Sequence, residues 1–527
     1  MRSAPAGSTN TPDVEDEFKT MDSATDNPST RRERGLVLLA VVACTVLGAK
    51  LIAISALGST TPIADQWDAE AAGLYAPYLK GTLTFADLVA PHNEHRILLH
   101  RLLSLMHLEI AGEWNTRLEM IFGAIVHTGS ITWLTALLMP LVARRYRIIL
   151  ACFVAFLFAM PIGYENMLSG FQCQIYLMLL FGIAALAALA TATPFSPRWF
   201  SGLAAAILSY FSFATGMATI LAAVALVVVQ LITNARTGGG REYASVAVMA
   251  LVFLALFCWA TSSARPLSTP WTILQGFALL GARVFIAGVP CAWFCRRVVV
   301  RRPPHTDRAW VAVAICAWVA IQLAMLAYGR GAAIAVRYFD LFLFIYPVAV
   351  VAIFEIAGAP RVAHFARFAV MSAVTWVFIV TVGSAGIGYM FVLGAIDWSR
   401  SAAQEFDNVQ TYLATKNVHD LKRFGHGHTF DLTYPNPERQ AGILDQADVR
   451  AILPIELRPV DANNAAARQN MLLKGKLARL TARTVHCVLT LGPGLLALGM
   501  ALLFAEGSRA SQLKGVKALR EDGSLRT

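Results

Sequence analysis

Charge is scarce in this chain. Of 527 residues, 15% are Asp, Glu, Lys or Arg and 57% are apolar, with mean hydropathy +0.56. That balance excludes a disordered chain, a collagen and a small disulfide scaffold. Paired cysteines are lacking too. Of the eight (Cys44, Cys152, Cys173, Cys258, Cys291, Cys295, Cys316, Cys487), seven lie in apolar runs and Cys173 at a helix edge. Neither a disulfide framework nor a CxxC zinc pattern follows, and most read as small buried hydrophobes. The opening "MRSAPAGSTNTPDVEDEFKTMDSATDNPST" lacks the basic and apolar regions of a cleavable signal peptide and reads as a disordered cytoplasmic tail. No internal repeat is evident.

Apolar runs near twenty residues are what the chain has in quantity, and they define an all-α polytopic membrane protein. The pattern predicts about twelve transmembrane helices, near 36–57, 117–141, 148–162, 175–192, 198–213, 217–233, 244–261, 272–295, 309–328, 339–358, 367–395 and 484–505. As one helix, 199–233 would be roughly 50 Å long, well beyond a hydrocarbon core of about 30 Å. Its small, polar middle "SFATGMAT", with Gly216, divides it. The net charge of +11 falls in short links between apolar runs: Arg31, Arg32 and Arg34; Arg144, Arg145 and Arg147; Arg236 and Arg241; Arg296, Arg297, Arg301 and Arg302; Arg361 and Arg367. That is the positive-inside pattern, which fixes orientation with both termini cytoplasmic, and it speaks against nucleic acid as a partner.

On this topology the chain divides into a tail (1–30), a transmembrane domain (31–395, first outer loop 58–116), an extracytoplasmic segment (396–482), a last span (483–506) and a tail (507–527). Carboxylates, amides and arginines gather in the outer loops, so the working face is extracytoplasmic. In the first loop, "DAEAAGLYAPYLKGTL" has helical spacing interrupted by Pro77 and ends at Gly81; Thr84 and Asp87 form a capping-box-like start. Beyond Pro91 the periodicity is helical, with His92, Arg96, His100 and His107 on one polar stripe and Leu98, Leu99, Leu102 and Leu105 supplying an apolar surface. Both helices are expected to lie at the membrane interface.

A long first outer loop with an acid just after helix one ("DQWD", 65–68), two interfacial helices and a multi-span body resemble the GT-C superfamily. The combination of "DQW" (65–67), "HNEHR" (92–96), "RLEM" (117–120), "GFQCQ" (170–174) and "RY" (337–338) resembles more closely a bacterial family of GT-C-like membrane proteins. GT-C proteins are membrane glycosyltransferases that take a sugar from a polyprenyl-phosphate carrier. The resemblance covers residues 31–395. It implies a first-loop acid at 65–68, a second acid in "YEN" (164–166), a polyprenyl-phosphate sugar donor, and an envelope glycan, lipid or protein acceptor. The chain departs from the superfamily in lacking a DxD in the second outer loop and the WWD motif of oligosaccharyltransferases, which tells against peptide glycosylation and obligatory metal use.

Glycosyl transfer needs a carboxylate to deprotonate the acceptor and cations near the departing phosphate. Asp65, Asp68 and Glu94 are the catalytic candidates; the plain alternative for the aspartates is helix capping. His95 and Arg96 are candidates for holding acceptor or phosphate, against a reading as the solvated face of an interfacial helix. Glu165, Asn166, Gln172 and Gln174 suit sugar hydroxyls, or else glue helices together. Arg330 and Arg337, with Tyr338, are the phosphate candidates, with Asp340 as the alternative partner of the arginines. Arg283 lies within a span and needs a counter-ion or a cavity. His92 and His95 are three apart, yet HNEH is neither HExxH nor HxxEH. "HGHTFDL" (His426, His428, Asp431) reads as an exposed turn. No metal ligand is assigned and no cofactor is required, although a divalent ion is left open. A transporter, a lipid or glycan flippase, and a glycan polymerase or ligase are the alternative functions.

Overall fold

The computed structural model describes residues 28–261, 268–358, 363–422 and 431–521; His426 and His428 lie outside them. Helices of thirteen or more residues are numbered in chain order: α1 (Pro28–Leu57), α2 (Leu98–Ala111), α3 (Thr116–Leu138), α4 (Arg147–Ala159), α5 (Cys173–Leu189), α6 (Pro197–Ser212), α7 (Met217–Ile232), α8 (Gly240–Thr261), α9 (Pro270–Arg301), α10 (Ala309–Arg330), α11 (Ile345–Ala357), α12 (Ala363–Thr415), α13 (Ala478–Thr490) and α14 (Gly492–Glu521). The described residues contain no β-strand.

The molecule is an all-α protein of the polytopic membrane type. Nine of its described helices are long and apolar enough to cross a membrane, or ten if α13 and α14, bent by 42°, form one span. The expected spans 148–162 and 198–213 correspond to α4 and α6, which have 13 and 16 residues. At about 1.5 Å per residue both fall short of a ~30 Å hydrocarbon core. Each is nevertheless packed into the bundle, α4 on α1 and α6 on α5.

Local chemistry explains the breaks. The expected division of 199–233 occurs: α6 starts where Ser196 accepts from Trp199 N at 3.2 Å, and α7 starts after a tight turn at Ala214–Gly216. A Cβ on Gly216 would strike the Ser209 carbonyl, so the reversal needs glycine there. The Thr84–Asp87 capping box also forms, and Gly81 ends the preceding helix at φ +71°.

Two expectations change. First, the span expected to end at 395 continues as α12 to Thr415, 53 residues or about 80 Å of helix. Its early part exposes Phe368, Met371, Phe378 and Met390, whereas Ala402, Val409 and Tyr412 farther on are buried. Second, the first loop and the 396–482 segment are not separate layers. Trp67, Leu74, Tyr75, Leu108 and Trp114 share one apolar core with Val409, Tyr412, Leu444, Ile452 and Met471. Trp114 packs edge-on to Trp67 and Tyr75, with centroids 5.5 and 5.3 Å away. Fully burying each such ring contributes roughly 1.5–3 kcal/mol, enough to hold the two segments together.

That lobe reverses the expected placement of the "APHNEHR" helix. The helix begins only at Leu98, and its polar stripe is not solvated: His100, Arg101, Ser104 and His107 are buried, while Leu102 and Met106 point outward. The stripe turns inward because Glu70, on the helical stretch Trp67–Tyr75, accepts from His100 and Ser104.

Candidate functional site

Asp65 stands on a turn set by Ala64 at φ +47°, immediately before Trp67–Tyr75. Its carboxylate is 53% exposed and lies 3.9 Å from His92 Nε2. The His92 ring, backed by Arg337 and His95, holds the Asp65 carboxyl below its ordinary value of 3.8 in spite of partial burial. Asp65 is thus an accessible carboxylate beside His92, with the Arg337 cation nearby.

His92 is delivered by a tight turn, not a helix. His92 N donates to His95 O at 2.8 Å, His95 N returns to His92 O at 3.0 Å, and Asn93 adopts φ +52°. Asparagine tolerates that left-handed backbone, which places His92 and Glu94 on the same small loop. Glu94 Oε1 bonds to Arg330 and lies 3.3 Å from His95 Nε2, while its Oε2 has no partner. His95 stacks on Phe213 at 4.0 Å and accepts from Ala214 N at 3.4 Å.

Arg330 ends α10, just before Gly331 at φ +55°. Its guanidinium and that of Arg337 flank the buried Tyr338 ring, 6.0 and 5.6 Å from the centroid. Arg337 Nη1 is 3.7 Å from Glu165 Oε2. Burial raises the Glu165 carboxyl above 4.5, opposed by Arg337 and by backbone amides of residues 336 and 337. Asn166 Nδ2 donates to Arg337 O at 2.7 Å and Asp340 Oδ2 at 2.8 Å. The arginines are therefore met by Glu94 and Glu165, whereas Asp340 bonds to Asn166. Asp65, Glu94, His95, Glu165, Asn166, Arg330, Arg337 and Tyr338 form one cluster.

The remaining candidates are committed elsewhere. Asp68 binds Tyr434 and, at 2.5 Å, Arg439 Nε, so it joins the first loop to the 431–471 segment. Arg96 is 8% exposed; it donates to Val89 O at 2.9 Å and stacks 4.4 Å from the Trp259 ring. Gln174 is buried with its Oε1 unpaired among the described residues, and half-buried Gln172 donates its backbone N–H to Ser169 O at 3.2 Å. Arg283 stacks 5.0 Å from Phe339 and donates to Leu279 O at 2.9 Å.

Beside the cluster opens an apolar cavity of about 910 Å³, lined among others by Ile162, Arg283, Val336, Phe339, Tyr346 and Phe391. Val336 and Phe339 flank Arg337 and Tyr338 in sequence, and Ile162 precedes the turn that carries Glu165. Arg283 is its only charged lining residue. No group of three or more His, Cys, Asp or Glu able to hold a metal occurs among the described residues.

Sequence reasoning did not bring together two buried polar sets, although it named His100 and Asp340 singly. One is Gln66, Glu70, Tyr75, His100, Ser104 and Glu119, linked by hydrogen bonds. In the other, Lys50, His127 and Asp340 line a void of about 10 Å³, the room of about one water molecule. Lys50, Glu119 and His127, each inside an apolar run, were the available signal.

No family model, curated protein or solved structure matches the chain.

Proposed function

We propose that this protein is a membrane glycosyltransferase of the GT-C kind, moving a sugar from a polyprenyl-phosphate carrier to a cell-envelope acceptor. The observation that carries the reading is the meeting of an apolar cavity with the Arg330–Tyr338–Arg337 cluster. A long isoprenoid tail suits the cavity, and a phosphate at its mouth suits two arginines, which would exchange part of their bonding to Glu94 and Glu165 for the ligand.

In the proposed step Asp65 takes the acceptor hydroxyl proton, the acceptor oxygen bonds to the anomeric carbon, and the carbon–oxygen bond to the carrier phosphate breaks. The phosphate leaves on the carrier, its charge met by Arg337 and Arg330. Asp65 suits the base because it is ionised and accessible. His95 and Asn166 would orient polar groups of the substrate through the elements they brace.

The proposal takes α4, α6 and the bent α13–α14 pair as spans, giving twelve with both termini cytoplasmic in a bacterial inner membrane and the cluster on the extracytoplasmic face. The basic links support that orientation. The second reading is a lipid flippase, favoured by Arg283 inside the cavity.

The test uses purified protein in nanodiscs. Asp65→Asn should abolish sugar transfer while leaving expression and melting temperature unchanged, and Arg337→Gln should weaken polyprenyl-phosphate binding at least tenfold. Full transfer by Asp65→Asn would remove the assigned base. Lipid scrambling by the wild type without transfer would favour the flippase.

A further inference from the structure

Behind Asp65 lies a buried polar network for which the proposed transfer has no direct use. Gln66, Glu70, Tyr75, His100, Ser104 and Glu119 are each 2% exposed or less. Gln66 is held at both ends of its amide: Oε1 accepts from Ile63 N at 3.2 Å, and Nε2 donates to Glu70 Oε2 at 2.8 Å and Glu119 Oε2 at 3.3 Å. Tyr75 fixes the other Glu119 oxygen at 3.2 Å. The backbone on either side of Asp65 is therefore anchored, including the positive φ at Ala64, which non-glycine residues keep only where their surroundings enforce it.

Glu119 also reaches the other half of the Asp65–His92 pair. A Cβ on Gly170 would collide with the Glu119 carboxylate, so the chain passes directly against it. The next residue, Phe171, packs edge-on to both His92 and His100, with centroids 5.4 and 4.8 Å away. One buried carboxylate thus touches two routes to the site. Gln66 leads to the Asp65 turn, and Gly170–Phe171 lead to the ring on which His92 leans.

We infer that Glu119 is a positioning residue that keeps Asp65 and His92 in register, acting on Asp65 through Gln66 and on His92 through Gly170 and Phe171. The inference rests on the reading of Asp65 as the base. Its physical content is that a carboxylate bonded to both Gln66 and Tyr75 in a dry site has one position, so both routes share one reference point. Gly170 is then required by Glu119 and not by its own backbone.

The experiment compares Glu119→Ala, Glu119→Gln and Gly170→Ala, each full-length in nanodiscs with its melting temperature recorded. Glu119→Ala and Gly170→Ala should lower the transfer rate at saturating donor at least tenfold while donor affinity stays within twofold. Glu119→Gln, whose single amide oxygen can serve Tyr75 or Gln66 but not both, should fall between wild type and Glu119→Ala. Wild-type rate in folded Glu119→Ala or in folded Gly170→Ala would overturn the inference. If the wild type transfers no sugar from any polyprenyl-phosphate donor, the base reading fails and the geometry decides. Cryo-EM maps of wild type and Gly170→Ala should then show Asp65 and His92 moved apart by more than an ångström, and an unmoved pair overturns the inference.

Discussion

His107 shows how burial rewrites a residue whose helical register was plain. Its ring is 2% exposed, packs edge-on to Phe122 at 5.4 Å, and has no hydrogen-bond partner on either nitrogen among the described residues. Burial, with His100 nearby, pushes its pKa from 6.5 down to about 3. The folded state therefore keeps the ring neutral where the unfolded chain would protonate it. The associated stability is present above pH 6.5 and is lost as pH falls from there toward 3. Thermal melts of wild type should drop steadily over that window. His107→Phe, which removes the titrating group and preserves the aromatic contact, should flatten the decline, and an unchanged pH dependence would assign it to other groups. Asp65 is the opposite case, since the His92 hydrogen bond and the Arg337 cation hold its carboxyl below the ordinary value.

At the scale of elements, close helix contact depends on small residues. α1 and α14 lie side by side, and a Cβ on Gly48 would meet the backbone of Leu496 and Gly492, while one on Gly499 would meet Thr45. In an apolar medium such backbone approach replaces the hydrophobic effect as the source of attraction. Gly48→Leu should separate the pair and destabilise the protein by about 1–3 kcal/mol, the usual cost of overpacking. A melting temperature unchanged from wild type would show that the helices part without loss. α12 makes a related point. Its early part buries Ala373, Val377 and Val380 in the bundle and exposes Phe368, Met371 and Phe378 on the other side, whereas Val409 and Tyr412 farther on pack into the lobe of the first loop, so one helix serves two environments.

At the scale of the whole molecule, the first loop and the later segment are held together by charge as well as by their shared apolar core. Asp68 with Tyr434 and Arg439, Glu109 with the backbone amides of Leu472 and Leu473 at 3.0 and 2.7 Å, and Glu113 with Arg458 at 2.5 Å tie that loop to the later segment. Losing one such charged hydrogen bond costs about 1.5–3 kcal/mol, discounted here because Arg439 is well exposed. Asp68→Ala should therefore raise amide hydrogen exchange across residues 431–471 several-fold and leave the transmembrane helices unchanged. Equal protection in variant and wild type would remove Asp68 from this role.

The sequence by itself determined the helical class, the break at Gly216, the Thr84–Asp87 cap and the candidacy of Asp65, Glu165, Arg330 and Arg337. Those features follow from local periodicity, turn chemistry and the cost of charge near apolar runs. It could not determine that Asp68 and Arg96 are used in packing, that the helical register begins at Leu98 and not at Pro91, or that the polar stripe of α2 faces Glu70. Nor could it reveal that Glu119, 54 residues after Asp65, touches the glutamine beside it. Those outcomes depend on which surface covers which. An amphipathic stripe has the same spacing whether water, headgroups or a buried carboxylate lies opposite, and only the tertiary structure supplies the opposite face.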